Sequence, residues 1–100
     1  MADILIVDDE AKIGKLLADE LTDAGHSASS VTHPRDALLR IERAAPDIVV
    51  TDLRMEGMDG IALLKEIRRR FPSVDVVVMT AYASIETAIQ TMREGAYDYI

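Results

Sequence analysis

The sequence predicts an α/β domain on one doubly wound parallel sheet, and three observations carry that prediction. Short aliphatic runs alternate with stretches whose apolar residues recur three and four apart, the pattern of strands alternating with amphipathic helices. Most of those runs are continuous, as in strands covered on both faces. The serine-rich run Ser27–Val31 differs, which assigns it to a sheet edge. A strand-helix-strand order requires right-handed crossovers with helices on both faces. With strand two outside strand one, the chain must return past strand one, giving the order 2-1-3-4-5.

The first strand covers residues 4–7 and runs into three acids, Asp8, Asp9 and Glu10. Ile13, Leu16, Leu17 and Leu21 mark the first helix, which Gly25 closes. After the edge strand, Pro34 suits a first helical turn, and Ala37, Leu38 and Ile41 mark the second helix. The third strand covers residues 48–50 and leads to Asp52; Ile61, Leu64 and Ile67 mark the helix that follows, with Pro72 beyond it. The fourth strand covers residues 76–79 and leads to Thr80. Ile85, Ala88, Ile89 and Met92 mark the fourth helix, closed by Gly95.

One hundred residues, 49% of them hydrophobic, suffice for a single core, so residues 1–100 are expected to form one domain. The absence of cysteine excludes disulfides and thiolate metal sites, and a cytoplasmic location fits. Acids flank the first apolar run, unlike the basic start of a signal peptide. The longest uncharged apolar-rich run, residues 76–85, is far short of a membrane span. A net charge of -7 opposes direct nucleic-acid binding and attachment to anionic membrane. The basic run of Arg68, Arg69 and Arg70 falls where the third helix ends, a favourable place for cations.

The topology brings the acids after strand one beside Asp52 after strand three, at the point where the winding reverses and such folds bind ligands. Two unit charges ~4 Å apart repel by about 4 kcal/mol at an effective dielectric of 20. Either a raised pKa or a bound hard cation must relieve that repulsion. Oxygen donors without histidine or cysteine at the same strand ends favour Mg²⁺. Thr80 adds a hydroxyl from a third strand end.

The stretches "VDDE", "TDLRMEGMDG", "VVVMTAYAS" and "REGAYDYI" make the chain resemble, over essentially its whole length, the receiver domain of bacterial two-component response regulators. The last two are similar to receivers of the nitrogen-regulatory class of enhancer-binding transcription activators. The resemblance implies the flavodoxin-like receiver fold and a phosphorylation-controlled switch that is not an enzyme toward other substrates. Asp52 would be the phosphoacceptor, receiving a phosphoryl group from a sensor histidine kinase. Asp9, Asp52 and the backbone carbonyl of Arg54 would bind Mg²⁺ directly, and Asp8 through a water; Glu10 is read as a helix residue. Thr80 would be the switch hydroxyl and Tyr99 the switch aromatic, with Tyr97 on the opposite face. Arg54 and Tyr82 would sit at the mouth of the site and slow dephosphorylation by hindering the attacking water. The response would pass through helix four and strand five to an output domain or partner. An AAA+ ATPase with a DNA-binding domain elsewhere in the parent chain is one form of that output, and a homodimer is compatible.

Two departures accompany the resemblance. Glu56 stands where the family usually has proline, and the family's lysine would fall two residues beyond Ile100, with the end of strand five and the last helix. The chain is therefore expected to be a receiver shortened at its C-terminus. A pseudo-receiver that acts as an interaction module without phosphorylation is the alternative; the intact Asp8, Asp9, Asp52 and Thr80 favour the switch. A hydrolase with an aspartate nucleophile is disfavoured because "DDE" lacks the Asp-x-Asp spacing. A flavin carrier is disfavoured because acids occupy the turn that would cradle phosphate. His26 and His33 lie in connecting segments and complete no metal or catalytic set.

Overall fold

The computed structural model describes residues 1–55, 59–80 and 84–100. Its elements are β1 Asp3–Val7, α1 Ala11–Asp23, β2 Ser27–Val31, α2 Pro34–Arg43, β3 Ile48–Asp52, α3 Gly60–Arg70, β4 Asp75–Met79, α4 Ile85–Arg93 and β5 Asp98–Tyr99. The strands form one parallel sheet in the order β2-β1-β3-β4-β5. The alternation of runs and the polar character of β2 foretold this order, and no residue of β2 is fully buried.

Central placement explains the uninterrupted "ILIV" of β1. Leu5 and Val7 enter one core with Ile41 of α2 and Leu63, Leu64 and Ile67 of α3, while Ile4 and Ile6 enter a smaller core with Ala18 of α1. Burying one such side chain fully contributes about 1.5–3 kcal/mol, so the larger core dominates stability. On the α1 side, Ile6, Leu17, Leu21, Val50, Met79 and Ile100 line an apolar groove of about 220 Å³.

Helix ends follow local chemistry. The His33 imidazole accepts from the Arg35 N–H at 3.1 Å with Pro34 in the first turn, and Asp59 accepts from the Ala62 N–H at 2.8 Å. Gly25 and Gly95 have φ of 99° and 98°, and each ends a helix. There His26 N–H reaches Leu21 O and Ala96 N–H reaches Thr91 O, so carbonyls otherwise left bare are satisfied. The basic run behaves as its position suggests: Arg68 donates to Pro72 and Val74 carbonyls, Arg69 pairs with Glu66 and Arg70 with Glu42.

Two helices turn their apolar residues differently from the simplest reading of their spacing. In α1, Gly14 and Ala18 are buried and Leu17 and Leu21 half-buried, whereas Ile13 and Leu16 are exposed. Ser30 explains the shift, because a Cβ at residue 14 would approach the Ser30 Cβ at 3.1 Å; the small side of α1 lies on the sheet. In α4 the only fully buried residue is Thr91, and Ile85, Ile89 and Met92 are exposed.

Candidate functional site

Strand register builds the site. Val7 pairs with Thr51 and Asp52 with Met79, so the next residues along β1 and β4 bring Asp8 and Thr80 beside Asp52. Strands β1 and β3 are neighbours from which the chain winds in opposite directions, which opens a crevice beyond their carboxyl ends. Asp8, Ile13, Asp52, Met79 and Thr80 line a cavity of about 170 Å³ there. Carboxylate oxygens of Asp8, Asp9 and Asp52 lie within 4.8 Å of one another.

The three acids differ in surroundings. Asp8 is buried, Asp52 half-buried and Asp9 exposed. Burial raises the Asp8 pKa above its ordinary value, and the charges of Asp52, Asp9 and Glu10 raise it further; a hydrogen bond from the Glu10 N–H opposes them. That bond is 2.9 Å long and holds the Asp8 carboxylate at the start of α1. Asp52 accepts a longer bond, 3.4 Å, from the Arg54 N–H. The donor set is all oxygen, and its charge is the kind a hard divalent cation relieves. These residues therefore fit Mg²⁺.

Other expected residues take defined places. Thr80 is half-buried, and its backbone N–H donates to Ile100 O at 3.1 Å, joining the site to the segment after β5. Tyr99 packs against the larger core, and its hydroxyl meets Thr87 Oγ1 of α4 at 2.8 Å; Tyr97 is exposed. Arg54 is exposed at the end of β3. Tyr82 and Glu56 lie outside the described residues. Glu10 is the N-cap residue of α1 and makes no side-chain cap bond. The histidines are structural: His26 Nδ1 accepts from the Ala2 N–H at 3.0 Å, and His33 caps α2.

Spacing alone missed three contributors. Ile13 has the spacing of an amphipathic stripe but lines the cavity. A Cβ at residue 60 would stand 2.2 Å from Asp52 O and 2.8 Å from Leu53 Cα, so only glycine lets α3 begin against the end of β3. The "DG" before the third helical pattern was the available signal. Thr87 joins α4 to Tyr99, and nothing in its spacing announced that contact.

A family profile for the response regulator receiver domain matches residues 4–100. Among curated proteins, the chain is 39% identical over 95 residues to the DNA-binding transcriptional regulator NtrC of Klebsiella pneumoniae, covering 95% of this chain and 20% of that protein. It is 41% identical over 98 residues to the transcriptional regulatory protein ZraR of Escherichia coli K12, covering 98% and 22%. The chain thus spans about a fifth of these relatives. Among solved structures, the receiver domain of NtrX from Brucella abortus superposes with a TM-score of 0.91 at 42% identity, covering 98% of this chain and 83% of that one. The chemotaxis protein CheY4 of Vibrio cholerae superposes with a TM-score of 0.94 at 26% identity, covering 100% and 85%.

Proposed function

The chain belongs to the response regulator receiver domain family, and from that premise we propose that it is a switch set by phosphorylation of Asp52. The single observation that carries this reading is the meeting of Asp8, Asp52 and Thr80, from three strand ends, in one small cavity. A carboxylate oxygen of Asp52 attacks the phosphorus of a phosphohistidine on a sensor histidine kinase. The new O–P bond forms as the P–N bond breaks, and the electron pair stays on the imidazole nitrogen, which takes a proton from solvent. Such transfer needs in-line placement and charge neutralisation more than it needs a strong base.

Asp9, Asp52 and the Arg54 carbonyl would hold Mg²⁺ directly, with Asp8 behind a water. The ion would supply positive charge against the carboxylates and the incoming phosphoryl oxygens. The bond from the Glu10 N–H orients Asp8, and Ile13 and Met79 supply the apolar part of the cavity lining. The Thr80 hydroxyl would donate to a phosphoryl oxygen, and the Tyr99 ring would follow it inward. Helix α4 and β5 would then carry the change, through Glu86, Gln90 and Arg93, to an output, an AAA+ ATPase with a DNA-binding domain in the parent chain being the form its relatives suggest. Arg54 and Tyr82 would lengthen the phosphorylated lifetime by obstructing water.

The test is exposure of the full chain to acetyl phosphate with Mg²⁺, read by intact mass. Wild type should gain one phosphoryl group and Asp52→Asn none. Stoichiometric labelling of the variant would remove Asp52 as the acceptor, and absence of labelling in wild type, together with no spectral response to beryllofluoride, would favour the pseudo-receiver.

A further inference from the structure

The hydroxyl of Thr87 stands among four polar atoms. They are the Ser84 N–H at 3.1 Å, Ser84 O at 3.1 Å, Ser84 Oγ at 3.0 Å and the Tyr99 hydroxyl at 2.8 Å. A hydroxyl has one proton to donate and two lone pairs to accept with. The Ser84 N–H can only donate and its carbonyl only accept, so Thr87 accepts from the first and donates to the second. One lone pair remains. The Tyr99 phenol, closer and a stronger donor than the Ser84 hydroxyl, fills it, while Ser84 Oγ accepts from the Thr87 N–H at 3.1 Å. The Ser84–Thr87 capping box that starts α4 is thereby tied to a residue of β5.

We propose that Thr87 is a positioning residue that latches α4 to Tyr99: the hydroxyl that closes the cap also ties the first turn of α4 to β5 while the Tyr99 ring keeps its present position. The surroundings give this bond unusual leverage. Among the residues of α4 only Thr91 is fully buried, and Ile85 at its first turn is 80% exposed. Little apolar packing therefore holds the N-terminal end of the helix, and its hydrogen-bonded cap carries more of that task than a cap usually does. Departure of the Tyr99 ring leaves the Ser84–Thr87 bonds in place but removes the tie to β5, and so loosens the first turn of α4. The latch deepens the switch reading and rests on it only for the event that moves Tyr99.

Hydrogen–deuterium exchange of the full chain, without phosphoryl donor or Mg²⁺, tests the latch apart from phosphorylation. Tyr99→Phe removes one hydroxyl and keeps the ring. It should speed exchange in residues 84–91 about fivefold, the size of one net hydrogen bond, and leave α3 unchanged. In a Thr87→Val background Tyr99→Phe should add nothing, and in a Thr87→Ser background its effect should return. Unchanged exchange in Tyr99→Phe, or effects that simply add in the Val double variant, would overturn the proposal. Because neither measurement involves Asp52, they can fail while acetyl phosphate labelling succeeds, and the reverse.

Discussion

Helices α3 and α4 carry similar apolar spacing and follow successive strands, yet they are held in opposite ways. Helix α3 buries Gly60, Leu63, Leu64 and Ile67, and its first residue is pressed against the Asp52 carbonyl. Helix α4 buries Thr91 and leaves Ile85, Ile89 and Met92 exposed. The first is fixed to the sheet by several fully desolvated side chains; the second rests on a cap, a tyrosine hydroxyl and one buried threonine. Such unequal anchoring leaves α4 the helix that a small change at the strand ends can move, because few contacts must break.

The largest expected effect is functional. Phosphorylation should change amide exchange across α4 and β5 and leave α3 nearly silent, and Asp52→Asn should abolish the change completely. Equal responses in the two helices would erase the contrast. Next in size is packing: Leu64→Ala should destabilise the fold by about 2–5 kcal/mol, whereas Ile89→Ala should stay within about 0.5 kcal/mol. Urea unfolding of both variants reads this directly. A loss at Ile89 comparable to that at Leu64 would mean that the α4 stripe is covered in solution.

The contrast also marks how far sequence reasoning reaches. The strand order was legible because "ILIV" and "SASSV" differ so plainly in what each face could bury. The acidic site was legible because carboxylates at the ends of strands one and three become neighbours in that order. What periodicity could not tell was direction. A stripe of Ile85, Ile89 and Met92 has the same spacing whether it faces a sheet or solvent, and the same ambiguity hid Ile13 at the cavity mouth. Gly60 escaped because its role depends on a backbone that approaches from β3, a contact between segments distant in their local pattern.

A third prediction concerns the fixed end of the molecule, where stability is given up for the acidic cluster. Burial and neighbouring charges raise the Asp8 pKa above 3.8 in the folded state. The folded protein thus holds that proton to higher pH than the unfolded chain does. The stability Asp8 contributes is fully present below its unfolded pKa and is lost as pH rises through the folded one. In EDTA, Asp8→Asn should therefore gain stability over wild type with rising pH across that window, then level off, by less than the Leu64→Ala loss. Mg²⁺ at neutral pH should stabilise wild type more than the variant. A difference independent of pH would separate Asp8 from the cluster's electrostatics.

The smallest effect should come from the seat of α4 itself. Thr91 is completely buried, and among the described residues its hydroxyl is a buried side-chain oxygen without a hydrogen-bond partner. Leaving such a group unpaired costs about 1–3 kcal/mol, while valine matches threonine in shape and nearly in helix propensity. Thr91→Val should therefore stabilise the domain by about 1 kcal/mol in urea unfolding. The gain has a consequence for the comparison, since a drier contact binds α4 more like α3. Amide exchange across α4 should slow in the resting variant, and its change on phosphorylation should shrink. If the variant instead loses stability, the hydroxyl bonds a carbonyl one turn earlier in solution, and α4 is more firmly seated than its single buried residue suggests.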